Sequence, residues 1–258
     1  MHQGRTLLAR SLRMADDLIA ARPAAGSPGS GGRPLPADPA REILVAIDVI
    51  RAFTTAAILV ARGATEIICA RDFHEVKEVA AEIPSALIAG EQRDPPFPDV
   101  DLPNSPVAAA SADVAERVIV FCTVNGTRTL AAAPPGVTAI ACAAVNVGAS
   151  ASWILAHRGT APVHLVCTDP GADEDAACAG HMAALLRGAV PDSAATRRAI
   201  VAAARVHERQ WRAKVPADMW RGFVADVDVC ARIDAVPVVL ACRRNERGLT
   251  VMRNGSMP

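Results

Sequence analysis

The chain has no excess of either charge, because Lys plus Arg and Asp plus Glu both number 27. Without a net field, the protein has no general attraction for nucleic acid or an anionic membrane, so any anion site must be built locally. Lysine is also scarce, with only Lys77 and Lys214 in the whole sequence. Arginine, whose planar guanidinium donates hydrogen bonds in pairs, is therefore the expected partner of an anionic ligand.

The cysteines lack the spacing of a metal site or a disulfide framework. Seven cysteines are scattered through apolar segments, and no two form a C-x-x-C pair. We expect reduced core thiols in a cytoplasmic protein. No apolar run reaches the roughly 18 residues of a membrane-spanning helix, so we expect no membrane insertion. A hydrophobic fraction of 51% supports a large core and permits a homo-oligomer without requiring one.

Residues 1–41 differ in composition from the rest of the chain. Residues 6–22 carry apolar side chains at helical spacing, and residues 23–41, PAAGSPGSGGRPLPADPAR, are rich in proline and glycine. We expect an amphipathic helix followed by a flexible linker. The helix has no continuous apolar segment of the kind found in secretory signals. Residues 42–258 are then expected to form the main domain.

From residue 42 onward, apolar runs alternate with helical patterns. The predicted strands are EILVAID, TEIICA, SALIAG, RVIVFCT, VTAIACA and VHLVC. This alternation predicts an α/β fold with three layers, in which a mostly parallel sheet carries helices on both faces. A helical stretch around 193–213 and the strand-like VPVVLAC and LTVM follow. They either continue the same sheet or form a second α/β subdomain.

Polar side chains follow most of the predicted strands at the point where each strand ends. They are Asp48, Arg51, Thr54 and Thr55 after the first strand, Glu91, Arg93, Asn104 and Ser105 after the third, Thr123, Asn125, Gly126, Thr127 and Arg128 after the fourth, Asn146 after the fifth, and Asp175 after the sixth. Ligands of parallel sheets bind beyond the carboxyl ends of the strands, so we expect these residues to converge at one sheet edge. Each loop also has a structural interpretation, since Asp48 and Ser105 stand where helix N-caps are expected.

Two arginines and one backbone segment could supply donors for an anion. The N–H groups of residues 125–127, at a predicted helix start, and the guanidinium groups of Arg51 and Arg128 would bind phosphate or sulfonate oxygens. We predict that both arginines are catalytic. The residues predicted to bind substrate are Thr54, Thr55, Arg93, Asn104, Ser105, Thr123, Asn125, Gly126, Thr127 and Asn146.

Carboxylates from three separate loops supply the hard oxygen ligands that Mg²⁺ prefers. Asp48, Glu91 and Asp175 are the predicted magnesium ligands, with Glu174 or Asp173 as alternatives to Asp175. Asp48 and Glu91 are also predicted to be catalytic. The metal would polarise a phosphoryl group and activate an attacking water.

Cys122 offers a different chemistry. Cys122 and Arg128 have the C-x5-R spacing of cysteine-dependent phosphatases, in which a thiolate attacks phosphorus beside an arginine. Here the glycine occupies the fourth intervening position and not the third, and no histidine precedes the cysteine. A metal-activated water is therefore the preferred hypothesis, and a nucleophilic cysteine is the alternative.

Five segments in this order resemble the motifs of the 2-phosphosulfolactate phosphatase (ComB) family. They are AIDVIRAFTTA, AGEQRDPPFPDVDLPNSP, TVNGTRTL, VNVGASASWI and EDAACAGHMAALL, and the closing DVDVCARIDAVPVVL is also similar. The resemblance covers about residues 42–245. It implies an α/β fold and a magnesium-dependent phosphatase that acts on 2-phospho-3-sulfolactate, a step toward coenzyme M. The alternatives are a homologous phosphatase for another small metabolite and an anion-binding homologue without turnover.

Overall fold

A computed structural model of the chain describes residues 42–91, 100–134, 137–212 and 217–255. The predicted N-terminal helix and linker, at 1–41, lie outside these residues. The strands are β1 (Ile43–Ile47), β2 (Glu66–Ala70), β3 (Leu87–Gly90), β4 (Leu102–Pro103), β5 (Val118–Cys122), β6 (Thr138–Cys142), β7 (Val163–Cys167), β8 (Leu240–Arg244) and β9 (Thr250–Asn254). The helices are α1 (Ala52–Ala61), α2 (Phe73–Glu82), α3 (Pro106–Ser111), α4 (Gly126–Ala131), α5 (Val147–His157), α6 (Asp173–Leu186), α7 (Ser193–Arg212) and α8 (Ala217–Cys230).

The nine strands form one mixed sheet that contains two parallel groups. Their order is β4-β3-β5-β2-β9-β8-β6-β1-β7. Strands β4, β3, β5 and β2 run parallel to one another, as do β6, β1 and β7. The closing strands β8 and β9 lie between the two groups and pair antiparallel with each other and with their outer neighbours. The mostly parallel α/β prediction is confirmed, and the closing strands complete the same sheet.

The expectation of a single parallel edge is wrong. Three antiparallel pairings reverse β6, β1 and β7 relative to β2, β5 and β3. Residues that directly follow β1 and β5, Asp48 and Thr123, nevertheless line one cavity.

Helices cover both faces of the sheet, as predicted. On one face, a single apolar cluster joins strands of both parallel groups to α1, whose Phe53 and Leu59 are fully buried. On the other face, α5 and α6 pack on β6, β1 and β7 in one cluster, while α2 packs on β2 and β5 in another. Helix α1 follows β1 and packs against β2, β6 and β8, so it lies over the central part of the sheet.

Local chemistry sets several helix starts and strand ends. The Asp72 side chain accepts a hydrogen bond from Glu75 N at 3.0 Å and caps α2, and Ser105 caps α3 ahead of Pro106. Gly90 ends β3 with φ 139°, and a Cβ atom there would lie 1.9 Å from the carbonyl oxygen of Cys122. Only glycine lets β3 end so close to β5, which places the next residue beside the end of β5.

The segment between α6 and β8 holds two helices where the sequence predicted one helical stretch. Helix α7 matches the predicted 193–213, whereas α8 was not predicted. Helix α8 packs against both α7 and α3, so it joins the late part of the chain to the segment that follows β4. Within the described ranges, no helix is both long and apolar enough to cross a bilayer.

Candidate active site

Side chains from the ends of four strands line one cavity. Asp48 follows β1, Glu91 follows β3, Thr123 follows β5 and Thr168 follows β7. The structure brings together these predicted site residues: Asp48, Arg51, Glu91, Asn104, Thr123, Asn125 and Asp175. The other lining residues are Ile50, Ala52, Val124, Thr168, Asp169, Ala172, Glu174 and Phe223. The roles assigned to the predicted residues stay predictions.

Asp48 is a buried carboxylate at the end of β1. Its Oδ1 accepts a hydrogen bond from Ala52 N at 3.0 Å, and its Oδ2 accepts one from Thr168 Oγ1 at 3.0 Å. Burial raises the pKa of Asp48 to about 6, and the charges of Glu91 and Glu174 act in the same direction while the two hydrogen bonds oppose them. This environment favours a proton or a cation beside the Asp48 carboxylate.

Asp175 lies in the first turn of α6 and is also buried. Its Oδ1 accepts a hydrogen bond from Val49 N at 2.8 Å, which ties α6 to the end of β1. Burial raises the pKa of Asp175 well above its ordinary value, and the neighbouring Asp48 charge raises it further. Two buried carboxyl groups therefore oppose each other's ionisation in one cavity.

Arg51 lies between two carboxylates. Its Nη1 donates to Asp226 Oδ2 at 2.8 Å, and its Nη2 donates to Glu91 Oε2 at 3.0 Å. The guanidinium carbon also lies 5.6 Å from the centre of the Phe223 ring. Burial lowers the pKa of Arg51, but the charges of Glu91 and Asp226 outweigh this effect and the pKa is raised. Arg51 is therefore charged at every physiological pH.

The cavity is strongly anionic. Its described lining holds five carboxyl groups, those of Asp48, Glu91, Asp169, Glu174 and Asp175. Arg51 supplies the one guanidinium of that described lining, and it is already paired with two carboxylates. A negatively charged ligand approaching these groups would be repelled unless a cation or protons offset their charge.

The oxygen-rich lining fits a magnesium site in which water or substrate oxygens fill some coordination positions better than one in which protein side chains fill all of them. Across the described part of the chain, no three His, Cys, Asp or Glu side chains are arranged to hold a metal ion on their own. Asn104 offers a further neutral oxygen, because the residue is 2% exposed and its Oδ1 has no hydrogen-bond partner among the described residues. Mg²⁺ commonly binds through one or two carboxylates and keeps water or substrate oxygens in its other positions.

The loop TVNGTR brings the end of β5 against the end of β1. Thr123 N donates to Thr127 Oγ1 at 3.0 Å, and Thr127 N donates to Thr123 Oγ1 at 3.2 Å, so each threonine holds the other. A Cβ atom on Gly126 would lie 2.9 Å from Asp48 Oδ2. A side chain at position 126 would therefore force Asp48 or its neighbours to shift. The exposed Asn125 forms part of the cavity rim.

Arg128 does not reach the cavity. It is exposed, and its Nε donates to the carbonyl oxygen of Arg71 at 3.4 Å. Residues two positions apart on a helix are separated by about 200° around its axis. Because Gly126 faces Asp48, Arg128 faces away from it. The prediction that both arginines face one anion is therefore wrong in its geometry: of the two, only Arg51 lines the site.

Other residues predicted to bind substrate have structural partners outside the cavity. Thr54 Oγ1 donates to the carbonyl of Val49 at 2.7 Å, which holds the first turn of α1. Asn146 is fully buried, with Oδ1 accepting from Ala143 N at 2.8 Å and Nδ2 donating to Val238 O at 3.2 Å. Neither side chain is available to a ligand in this arrangement.

Four further predicted residues have different outcomes. Ser105 donates from Oγ to Asp226 Oδ1 at 2.6 Å and is not part of the lining. Thr55 and Thr127 are fully buried and also lie outside it. Arg93 lies outside the described residues. The strand-exit pattern therefore identified the cavity but did not separate its lining from the residues that support it.

Cys122 is poorly placed for nucleophilic chemistry. Its side chain packs with Val76 and Val120 in the apolar cluster beneath α2. Burial raises the pKa of the Cys122 thiol to about 11, with the charge of Asp72 adding to the effect and that of Arg128 opposing it. At neutral pH the thiol is protonated and a weak nucleophile, which disfavours the cysteine alternative.

Three functional candidates were missed by the sequence analysis: Thr168, Phe223 and Asp226. Thr168 holds Asp48, whereas Phe223 and Asp226 hold Arg51. Phe223 and Asp226 lie three residues apart on α8 and share one helix face. The motif DVDVCARIDAVPVVL, which begins at Asp226, was the available signal, but no side chain in it was assigned to the site.

Comparison with known proteins is consistent with these motifs. The sequence matches the family model of 2-phosphosulpholactate phosphatase over residues 33–245. A probable 2-phosphosulfolactate phosphatase of Gloeobacter violaceus is 32% identical over 207 residues, which are 74% of this chain and 84% of that protein. A protein of the same name from Carboxydothermus hydrogenoformans is 29% identical over 76% of this chain and 84% of its own length. The match to the Deinococcus radiodurans protein of that name is 40% identical but covers 33% of this chain and 36% of that protein.

Proposed function

This chain belongs to the 2-phosphosulpholactate phosphatase family, and we propose that it hydrolyses a small phosphate monoester carrying a second anionic group. The first candidate substrate is 2-phospho-3-sulfolactate, after which the relatives are named. One observation carries the proposal: the family-like segments supply the polar lining of a single cavity. AIDVIRAFTTA contributes Asp48 and Arg51, TVNGTRTL contributes Thr123, and EDAACAGHMAALL contributes Asp175.

We further propose that the enzyme requires Mg²⁺. Asp48 and Asp175, with Glu91 and the Oδ1 of Asn104, are the oxygens that would hold it. Five carboxylates around one guanidinium support this assignment, because a substrate with two anionic groups needs their charge offset. The chemistry supplied by a bound Mg²⁺ is charge neutralisation and polarisation of the phosphoryl oxygens.

The chain's own groups would bind and orient the ester. Arg51 would donate to phosphoryl oxygens through the nitrogen that now contacts Glu91. Thr168 and Ala52 N would keep the Asp48 carboxylate oriented through its two hydrogen bonds. Water oxygen forms the new bond to phosphorus and the ester P–O bond breaks. The proton lost by the water passes to a cavity carboxylate, and the leaving alkoxide takes up a proton from a protonated cavity carboxyl group or from solvent to leave as the alcohol. Phe223 and Val124 would contact the carbon skeleton of the substrate.

Phosphate release tests the proposal directly. Purified protein would be assayed with 2-phospho-3-sulfolactate and a panel of phosphorylated hydroxy acids, each with Mg²⁺ and with EDTA. We expect turnover that EDTA abolishes and added Mg²⁺ restores. Preference for another ester would move the assignment to a different metabolite. An absence of turnover on the whole panel, with phosphate still bound, would favour the non-catalytic alternative.

A further inference from the structure

Asp226 on α8 connects three separate segments of the chain. Its Oδ2 accepts from Arg51 Nη1 at 2.8 Å. Its Oδ1 accepts from Ser105 Oγ at 2.6 Å and from Val107 N at 3.2 Å. One carboxylate thereby fixes the arginine after β1, the start of α3 and the inner face of α8. Both oxygens of the buried Asp226 carboxylate therefore accept hydrogen bonds.

The two carboxylates that contact Arg51 differ in how firmly they are held. The side chain of Asp226 is 1% exposed, whereas that of Glu91 is 31% exposed. Asp226 has two further donors that keep it in place, while the described contacts of Glu91 show one hydrogen-bonding partner for its side chain, Arg51. A ligand that enters from the open side of the cavity would meet the Glu91 contact first.

We propose that Asp226 is the positioning residue that holds Arg51 toward the cavity, and that an entering phosphate oxygen displaces Glu91 from the second guanidinium nitrogen. This inference rests on the proposed phosphate-ester substrate. Arg51 then keeps one nitrogen on Asp226 and offers the other to the ligand, so the arginine is aimed before the ligand arrives. Glu91 leaves the guanidinium as the anion takes its place.

Phe223 contributes to the same positioning. It lies one helical turn before Asp226 on α8, and its ring stands 5.6 Å from the Arg51 guanidinium carbon. The ring limits the rotation of the guanidinium plane through a cation–π contact. Helix α8 thus holds Arg51 by an ion pair and an aromatic face together.

Binding of inorganic phosphate, the reaction product, tests the proposal independently of turnover. Calorimetric titration of the full chain, with EDTA and with Mg²⁺, would compare the wild type with Asp226→Asn and Asp228→Asn. Asp228 is a matched control because it lies on the same helix and pairs with Arg197 and Arg232, but it is exposed and does not line the cavity. We expect Asp226→Asn to weaken phosphate binding at least tenfold and to raise KM, with Asp228→Asn within twofold of wild type.

Glu91→Gln should change the affinity for phosphate in the opposite direction from Asp226→Asn. Removing the competing carboxylate should tighten phosphate binding in EDTA, because Arg51 no longer has to leave an ion pair. A purely structural role for Asp226 would lower the melting temperature of Asp226→Asn and leave its phosphate affinity unchanged. Such a result, or wild-type protein that binds no phosphate under either condition, would overturn the proposal.

Further measurements distinguish the positioning role of Asp226 from the proposed phosphatase activity. Should Asp226→Asn fail to fold, Phe223→Leu decides, with an expected weakening of phosphate binding of about two- to fivefold, the scale of a cation–π contact; unchanged affinity would refute the positioning role. Wild-type protein that binds phosphate but hydrolyses no ester would refute the phosphatase assignment alone. Turnover by the wild type with identical kinetics in Asp226→Asn would refute the positioning role alone.

Discussion

Replacing Asp48 with asparagine should stabilise the folded chain at neutral pH while removing its activity. Asparagine is nearly the same size, and its Oδ1 can still accept from Ala52 N. Its amide can donate to Thr168 Oγ1, which now donates to Asp48. The substitution therefore preserves the local hydrogen bonds and removes the buried charge.

The magnitude follows from the pKa of the Asp48 carboxyl, which burial raises from 3.8 to about 6. A carboxyl group whose pKa is higher in the folded than in the unfolded state contributes stability that is fully present below the unfolded-state pKa. This stability is lost as pH rises through the folded-state pKa. Full ionisation above pH 7 therefore costs the folded state about 3 kcal/mol in the absence of a cation. Asp48→Asn avoids this cost, and it also relieves the repulsion that raises the pKa of Asp175.

Urea unfolding in EDTA between pH 4 and pH 8 would measure the effect. We expect Asp48→Asn to exceed the wild type in stability by up to about 3 kcal/mol at pH 8 and to approach it at pH 4. Magnesium at 100 times its Kd should restore about 2.7 kcal/mol to the wild type, with little effect on the variant. Asp228→Asn is the control. Its effect on stability at pH 8 should have the opposite sign to that of Asp48→Asn, because Arg232 lowers the pKa of the exposed Asp228 carboxyl. An Asp48→Asn variant less stable than wild type at pH 8, or a difference independent of pH, would refute the reasoning.

The other substitutions separate the roles of neighbouring residues. Arg51→Lys should lose about 2–4 kcal/mol of transition-state stabilisation, whereas Arg128→Lys, exposed and outside the cavity, should stay within about 0.5 kcal/mol of wild type; equal losses in kcat/KM would contradict the geometry. Cys122→Ser should keep most of the activity, and iodoacetamide should react slowly with the wild type because the thiol pKa is about 11; rapid alkylation that abolishes turnover would reverse this view. Gly126→Ala should lower the free energy of unfolding by about 1–3 kcal/mol, because its Cβ would lie 2.9 Å from the Asp48 carboxylate; a variant with unchanged urea midpoint and kcat would argue against that close contact.

Local sequence patterns were sufficient for the strands and for the position of the cavity. All five residues of ILVAI are buried, and so are all but the first residue of VIVFC. Such continuous apolar runs are typical of strands covered by helices on both faces of a sheet. Asp48, Glu91 and Thr123 directly follow β1, β3 and β5, so their position at the strand ends was enough to predict that they lie at the site. This information lies within a few residues along the chain, where hydrophobic periodicity and turn chemistry operate.

The sequence by itself determined the α/β class, the strand ends that carry polar residues and the motifs of the family. Only the tertiary structure decided which of those residues face the cavity. The pairing of β8 and β9 between the two parallel groups joins segments far apart in the chain, as does the close approach of Asp48 to Gly126. Asp226, one of the two carboxylate partners of Arg51, is 175 residues away, on a helix whose rotation places Asp226 inward and Asp228 outward. Local patterns fix which segments form strands and helices, but strand order and helix rotation depend on packing between segments far apart in the chain.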